Sequence, residues 1–268
     1  MDHPIANGAG GETQNREANR PGNSPADSKK NRVKPWCVKS WCTPKITREF
    51  LARLKDILNL YERPFDPAHP TICFDEQNVQ LLADRYPELP VKPGAVRRRD
   101  YEYVRHGMRN VFVFLEPKAG HRHLLITRRR TKHEWAKAIR YLVDVLYPAA
   151  KDIDLVYDNL NTHTAETLIE IFGKPEADRI LARLTLHLTP LHASWLNMAE
   201  IDLSAMTRQS LSRRIPDEWT LAMELIAWEC SRNQSSQPIT WSFNWKRARR
   251  IFRKRKCHEP ANTHPGQN

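Results

Sequence analysis

The stretch Lys151-Asp-Ile-Asp-Leu-Val-Tyr-Asp-Asn-Leu-Asn-Thr-His163 decides how the rest of the chain is read. A short apolar run, Ile153 to Tyr157, stops on Asp158 and gives way to turn-forming polar residues. Ile, Val and Tyr favour strands, and a run this short bounded by Asp and Asn predicts a buried strand. Its last residue is then a carboxylate at a carboxyl end, the edge where open α/β sheets place their ligand crevices. A plainer reading has Asp158 and Asn159 simply make a turn or cap the next helix. The segments on either side bear on that choice.

Upstream, Thr71-Ile-Cys-Phe-Asp75-Glu76 repeats the pattern, a short apolar strand ending on a carboxylate. Residues 77–100 read as loop, because Pro87, Pro90, Pro93 and Gly94 break any regular element. Arg97-Arg98-Arg99 is a solvated charge run or a phosphate contact. Asn110–Glu116 and Arg122–Thr127 flank the Pro117–Gly120 turn and predict a hairpin. Apolar residues at helical spacing predict a helix over Thr47–Leu60 and another over Thr131–Tyr147, with Thr47 and Thr131 as N-caps. After the Asp158 strand come helical pieces over Ala165–Phe172 and Glu176–Leu184 and a strand over Leu184–Leu188. Ser194 is expected to cap a helix that begins near Trp195, carries Glu200 and ends by Pro216. Asp217–Arg232 reads as a further amphipathic helix. This order argues for an α/β fold with a mixed sheet, in the ribonuclease-H-like arrangement.

Composition narrows the partners. The 268 residues carry 43 Lys and Arg against 31 Asp and Glu, a net charge of +12, which suits a polyanion and most economically nucleic acid. No apolar run approaches the ~20 residues of a membrane-spanning helix. The first thirty residues lack the apolar centre of a signal peptide, so a cytoplasmic protein with no membrane partner is expected. Five cysteines, at 37, 42, 73, 230 and 257, form no Cys-x-x-Cys pair, which argues against a disulfide framework or a zinc site. Residues 1–32 are polar without periodicity and are expected as a disordered leader, with order beginning at Val33 and Trp36 and Trp41 as anchors. Residues 244–268 are expected as a basic, flexible tail. Lys246 to Lys256 within it holds three Lys and five Arg, a helix lying along DNA or a solvated, frayed end.

Asp75 and Asp158 at strand ends and Glu200 on a helix form a candidate constellation. Adjacent strands would set the two aspartates side by side, and a helix packed on the sheet would present Glu200 to the same rim. Clustered carboxylates repel unless cations neutralise them, and hard oxygen ligands suit Mg²⁺ or Mn²⁺. Two neighbouring acids are set aside by geometry. Strand alternation aims Glu76 at the opposite face. Asp202 lies about 200° around the helix from Glu200.

Several local sequences carry a resemblance. Asp158-Asn-Leu-Asn-Thr-His163, Thr189-Pro190 and Ser194-Trp-Leu-Asn-Met-Ala-Glu200 resemble the catalytic domain of mariner-type bacterial transposases of the insertion-sequence 630 family. Pro35-Trp36, Trp41-Cys42, Asp75-Glu76, Lys92-Pro93-Gly94, Asp100-Tyr-Glu-Tyr-Val104, Arg213-Arg214-Ile215 and Ala227-Trp228 extend the likeness over about 33–243. It implies a DDE transposase catalytic domain over 33–243, a metal-dependent DNA endonuclease and strand transferase acting on insertion-sequence ends. Asp75, Asp158 and Glu200 match the catalytic, metal-holding acids, with Mg²⁺ as cofactor and Mn²⁺ as substitute. Asn159, His163 and Asn197 match supporting or DNA-contacting positions, and His163 reads equally as a structural or helix-capping residue. Transposon-end and target DNA would be partners, as would a second copy in a homodimer or a full-length transposase. Family members carry helix-turn-helix modules ahead of this domain, and nothing before Val33 has the pattern for one. A truncated chain is therefore expected, and a catalytically silent remnant that binds DNA or full-length transposase is the alternative reading.

Overall fold

A computed structural model describes residues 46–158 and 164–256, with side chains through Phe252. The expected leader, the anchors Trp36 and Trp41, and the candidate residues Asn159 and His163 lie outside the described residues.

Helix α1 spans Arg48–Glu62, and Thr47 caps it by accepting from the Phe50 amide at 3.0 Å. Strand β1 follows over Thr71–Asp84, then β2 over Tyr103–Glu116 and β3 over His121–Thr127. Helix α2, Lys132–Tyr141, is capped by Thr131 and runs into a π-turn over Leu142–Leu146. Strand β4 is Ile153–Tyr157; helices α3, Ala165–Phe172, and α4, Lys174–Leu181, lead to β5, Leu184–Leu188. A 3₁₀ turn, Ser194–Leu196, precedes α5 over Ala199–Gln209, α6 over Glu218–Ser235 and α7 over Trp245–Lys256. Among the described residues no helix is long and apolar enough to cross a membrane.

The sheet order is β3-β2-β1-β4-β5, with β1, β2 and β3 antiparallel and β4 and β5 parallel to β1. This is the mixed, ribonuclease-H-like sheet that the element order predicts. Alternation splits the side chains between two cores. Ile72, Phe74, Phe112, Phe114, Ile153 and Leu155 pack under α2, α3 and α4. Cys73, Val111, Val113, Leu115 and Val156 pack under α1, α5, α6 and α7.

Three expectations are corrected. Residues 77–84 belong to β1, which pairs with β2 past a bulge between Gln80 and Leu82. Their polar composition hides a strand that cross-strand pairing stabilises, because β-propensity depends on context. Ser194 does not cap the Glu200 helix: it opens the 3₁₀ turn, and the α-helix starts at Ala199, where the Asn197 Oδ1 accepts from the Ala199 amide at 3.2 Å. That helix ends at Gln209, short of Pro216. The hairpin turn stands as read. Gly120 has φ +67°, and an added Cβ would come within 2.5 Å of the Gln237 backbone, so only glycine fits there.

Candidate active site

The β1–β4 register brings the two aspartate-bearing segments together. Cys73 lies opposite Val156. Asp75 and Asp158 each stand two residues past that last pair, near enough for Asp75 to feel the Asp158 charge. Helix α5 packs on the face of Cys73 and Val156 through Leu203 and Met206.

Asn197 fastens that helix to the strand. Its side chain is fully buried, and Nδ2 donates to the carbonyl of Phe74, the residue before Asp75, at 2.8 Å. Its Oδ1 takes the Ala199 amide, so one amide group joins the last step before Asp75 to the first turn of the Glu200 helix. Tyr61 secures the preceding turn, donating to the Leu196 carbonyl at 2.7 Å while its hydroxyl meets the Cys73 thiol at 3.3 Å. Further along, Gln77 and Thr207 are hydrogen-bonded, tying α5 to β1 a second time.

Electrostatics mark the cluster. Burial pushes the Asp75 carboxyl up to about 7; the Glu76 amide donating to Oδ1 at 2.7 Å opposes this, and the charges of Asp158, Glu200 and Glu76 add to it. Asp158 is raised by burial and partly relieved by the Thr189 hydroxyl, which donates at 2.8 Å. Glu200 is exposed. Asp75 therefore feels the charges of both Asp158 and Glu200.

The neighbouring acids are engaged elsewhere. Glu76 turns to the other face, with its Oε1 on Arg130 Nε at 2.5 Å and Oε2 accepting from Asn110 at 3.4 Å. Asp202 points into the core and pairs with Arg122 Nε at 2.8 Å, both side chains at 2 % exposure or less. Arg122 and Arg232 lie over the Trp228 ring, and Asn233 clasps the Arg122 backbone with bonds of 3.0 and 2.8 Å. This buried pair fixes the rotation of α5 and so the side on which Glu200 emerges.

Sequence reasoning gave Thr189 no role beyond its place in the likeness, and missed Tyr61 and Arg122. A threonine before a proline carries no signal for hydrogen-bonding an acid thirty residues away. The Arg122–Asp202 pair joins residues eighty positions apart, which no local pattern shows.

Among the described residues, no group of three His, Cys, Asp or Glu side chains is drawn in closely enough to enclose an ion. The donor chemistry nonetheless suits a hard divalent cation: Asp75, Asp158 and Glu200 offer carboxylate oxygens, and Asp75, which feels the other two, carries a proton-affinity rise that positive charge would reverse.

The comparisons agree with this architecture. The profile of the DDE superfamily endonuclease family matches residues 70–222, a span containing Asp75, Asp158 and Glu200. No curated protein matches the chain. Among solved structures, the Mos1 transposase paired-end complex with left transposon end aligns at a TM-score of 0.50 and 16% identity, covering 77% of this chain and 62% of that one. The Mos1 mariner paired end complex with Mn gives 0.50 and 16%, covering 77% and 63%. This chain thus spans under two thirds of the length of those relatives, and at such identity the likeness shows the fold. With the family profile covering more than half of its residues, the chain belongs to the DDE superfamily of endonucleases.

Proposed function

We propose that this chain is the catalytic domain of a DDE transposase, a metal-dependent DNA endonuclease and strand transferase acting on insertion-sequence ends. The observation that carries the reading is the Asp75 carboxyl, raised to about 7 chiefly by burial and further by the charges of Asp158 and Glu200, in the span that matches the family. The domain is proposed to run over 33–243.

Divalent ions, Mg²⁺ or Mn²⁺, when bound would supply the positive charge that activates an attacking oxygen and steadies the leaving one in an in-line phosphoryl displacement. Asp75, Asp158 and Glu200 would hold them. Thr189 keeps Asp158 turned to the cluster, and Asn197 keeps the strand end and the helix start in register. Exposure of Glu200 leaves the open side of the group to the scissile phosphate. Water would attack for cleavage and a 3′-hydroxyl for strand transfer. Transposon-end and target DNA are the proposed partners, with a second copy pairing the two ends.

The test incubates the purified chain with Mn²⁺ and labelled supercoiled DNA. Nicking that disappears in Asp158→Ala and Glu200→Gln supports the proposal. DNA binding without nicking would favour the catalytically silent remnant.

A further inference from the structure

The last helix carries a surface that the acid cluster does not use. Trp245, Ala248 and Phe252 recur at i, i+3 and i+7 and turn α7 toward the core. Ala248 is fully buried, and the Phe252 ring meets Phe50 of α1 edge-on at 5.5 Å. Asn244 caps the helix, its Oδ1 accepting from the Arg247 amide at 2.9 Å. The opposite face presents Lys246, Arg247 and Arg250, and Arg249 flanks the apolar stripe, all four exposed. No acidic residue occurs within α7, and among the described residues none of these four forms an ion pair with Asp or Glu. Some basic residues elsewhere are neutralised, as are Arg179 with Asp144 and Glu176, Arg214 with Asp84 and Arg122 with Asp202.

Such an arrangement works against the helix itself. Like charges four apart, as at Lys246 and Arg250, repel, and cations in a first turn oppose the helix dipole. A polyanion would remove both costs. The helix also has a defined address. Ile239 is held by the Pro117 carbonyl at 2.8 Å, Trp241 packs on Tyr61 at 5.6 Å, and Phe243 packs on Trp195 at 5.5 Å. Trp195 and Leu196 form the turn ahead of the Glu200 helix, so α7 starts one aromatic contact from the segment that carries the third acid.

We propose that the exposed face of α7 docks the phosphate backbone of duplex DNA beside the acid cluster, without reading its sequence. The inference rests on the proposed function only in taking DNA as the polyanion. A helix of 12 residues is ~18 Å long, about half a turn of B-form DNA, enough to meet several phosphates. An anionic membrane fits less well: the apolar stripe of α7 faces the core, leaving little to insert into lipid.

The test measures binding of the full chain to a labelled ~30-base-pair random duplex by fluorescence anisotropy, in EDTA so that cleavage does not interfere. The variant K246Q/R247Q/R249Q/R250Q is compared with R85Q/K137Q/K151Q/K174Q, which loses the same charge from exposed positions outside α7. The α7 variant should bind at least about tenfold more weakly at ~100 mM salt, with the slope of log affinity against log salt reduced by about 3 to 4. The control set should lose less than about threefold. Circular dichroism checks the fold of each, and the milder R247Q/R250Q stands in should the fourfold variant misfold. Equal losses in both sets, or none in the α7 set, overturn the proposal. So does binding to phosphatidylserine vesicles as tight as to DNA. The binding assay contains no divalent ion, so a chain that never nicks DNA would sink the enzymatic reading and leave this one standing.

Discussion

Replacing Asp75 by asparagine should stabilise the ion-free protein while abolishing cleavage. Burial and the neighbouring charges raise the Asp75 carboxyl from 3.8 to about 7. At about 1.4 kcal/mol for each tenfold change in proton affinity, that sets an upper bound of about 4 kcal/mol against folding near pH 8. Asp75 keeps some solvent contact, so about half of this is expected, or about 2 kcal/mol. The sign follows from proton counts. A folded-state pKa above the unfolded value means that the native state binds more protons between about pH 4 and 7. The contribution of this group is therefore fully present below about 4 and lost as pH rises through about 7. Asparagine carries no charge at any of these pH values and still offers Oδ1 to the Glu76 amide. Urea unfolding in EDTA should show Asp75→Asn level with the parent near pH 4 and about 2 kcal/mol more stable near pH 8, and thermal unfolding near pH 8 should show a midpoint rise of about 4–8 °C for a chain of this size. Adding Mn²⁺ should narrow the gap by stabilising the parent, since a ligand that binds only the folded state shifts the equilibrium toward it. An asparagine variant that gains nothing near pH 8, or whose advantage is the same near pH 4, would refute the account of the cluster.

Two further outcomes follow from the scaffold. Asn197→Ala leaves the buried Phe74 carbonyl without its donor, so it should cost about 2–3 kcal/mol in urea unfolding and lower nicking at saturating Mn²⁺. Nicking that survives in folded Asn197→Ala would show that this clamp does not set the catalytic register. Asp202→Leu strands the Arg122 guanidinium in the core and should cost about 3–5 kcal/mol, whereas Asp202→Leu with Arg122→Met should recover most of that loss. If the double variant is no more stable than the single, the cost lies in packing rather than in an unpaired charge.

Much of this protein could be read directly from its residues. Caps at Thr47 and Thr131, the apolar run along Ile153–Tyr157 and the turn before Gly120 are local, and each is decided by neighbours within a few positions. The three acids could be proposed from the motifs around them, and the opposite aims of Glu76 and Asp202 were legible through strand and helix periodicity. Where local chemistry was weak, the reading failed: Gln77 to Asp84 pairs as strand only because β2 lies alongside, and the Glu200 helix starts late because Asn197 is drawn away to the Phe74 carbonyl. The charge run of α7 illustrates the division. Its composition was plain, but whether it would fold depended on Phe50, two hundred residues earlier, offering a surface for Phe252. Sequence thus determined which groups are acidic, basic or apolar, and the period of each element. Register between β1 and β4, the buried Arg122–Asp202 pair and the rise in the Asp75 carboxyl arise from contacts between distant segments, and only the folded chain brings those segments together.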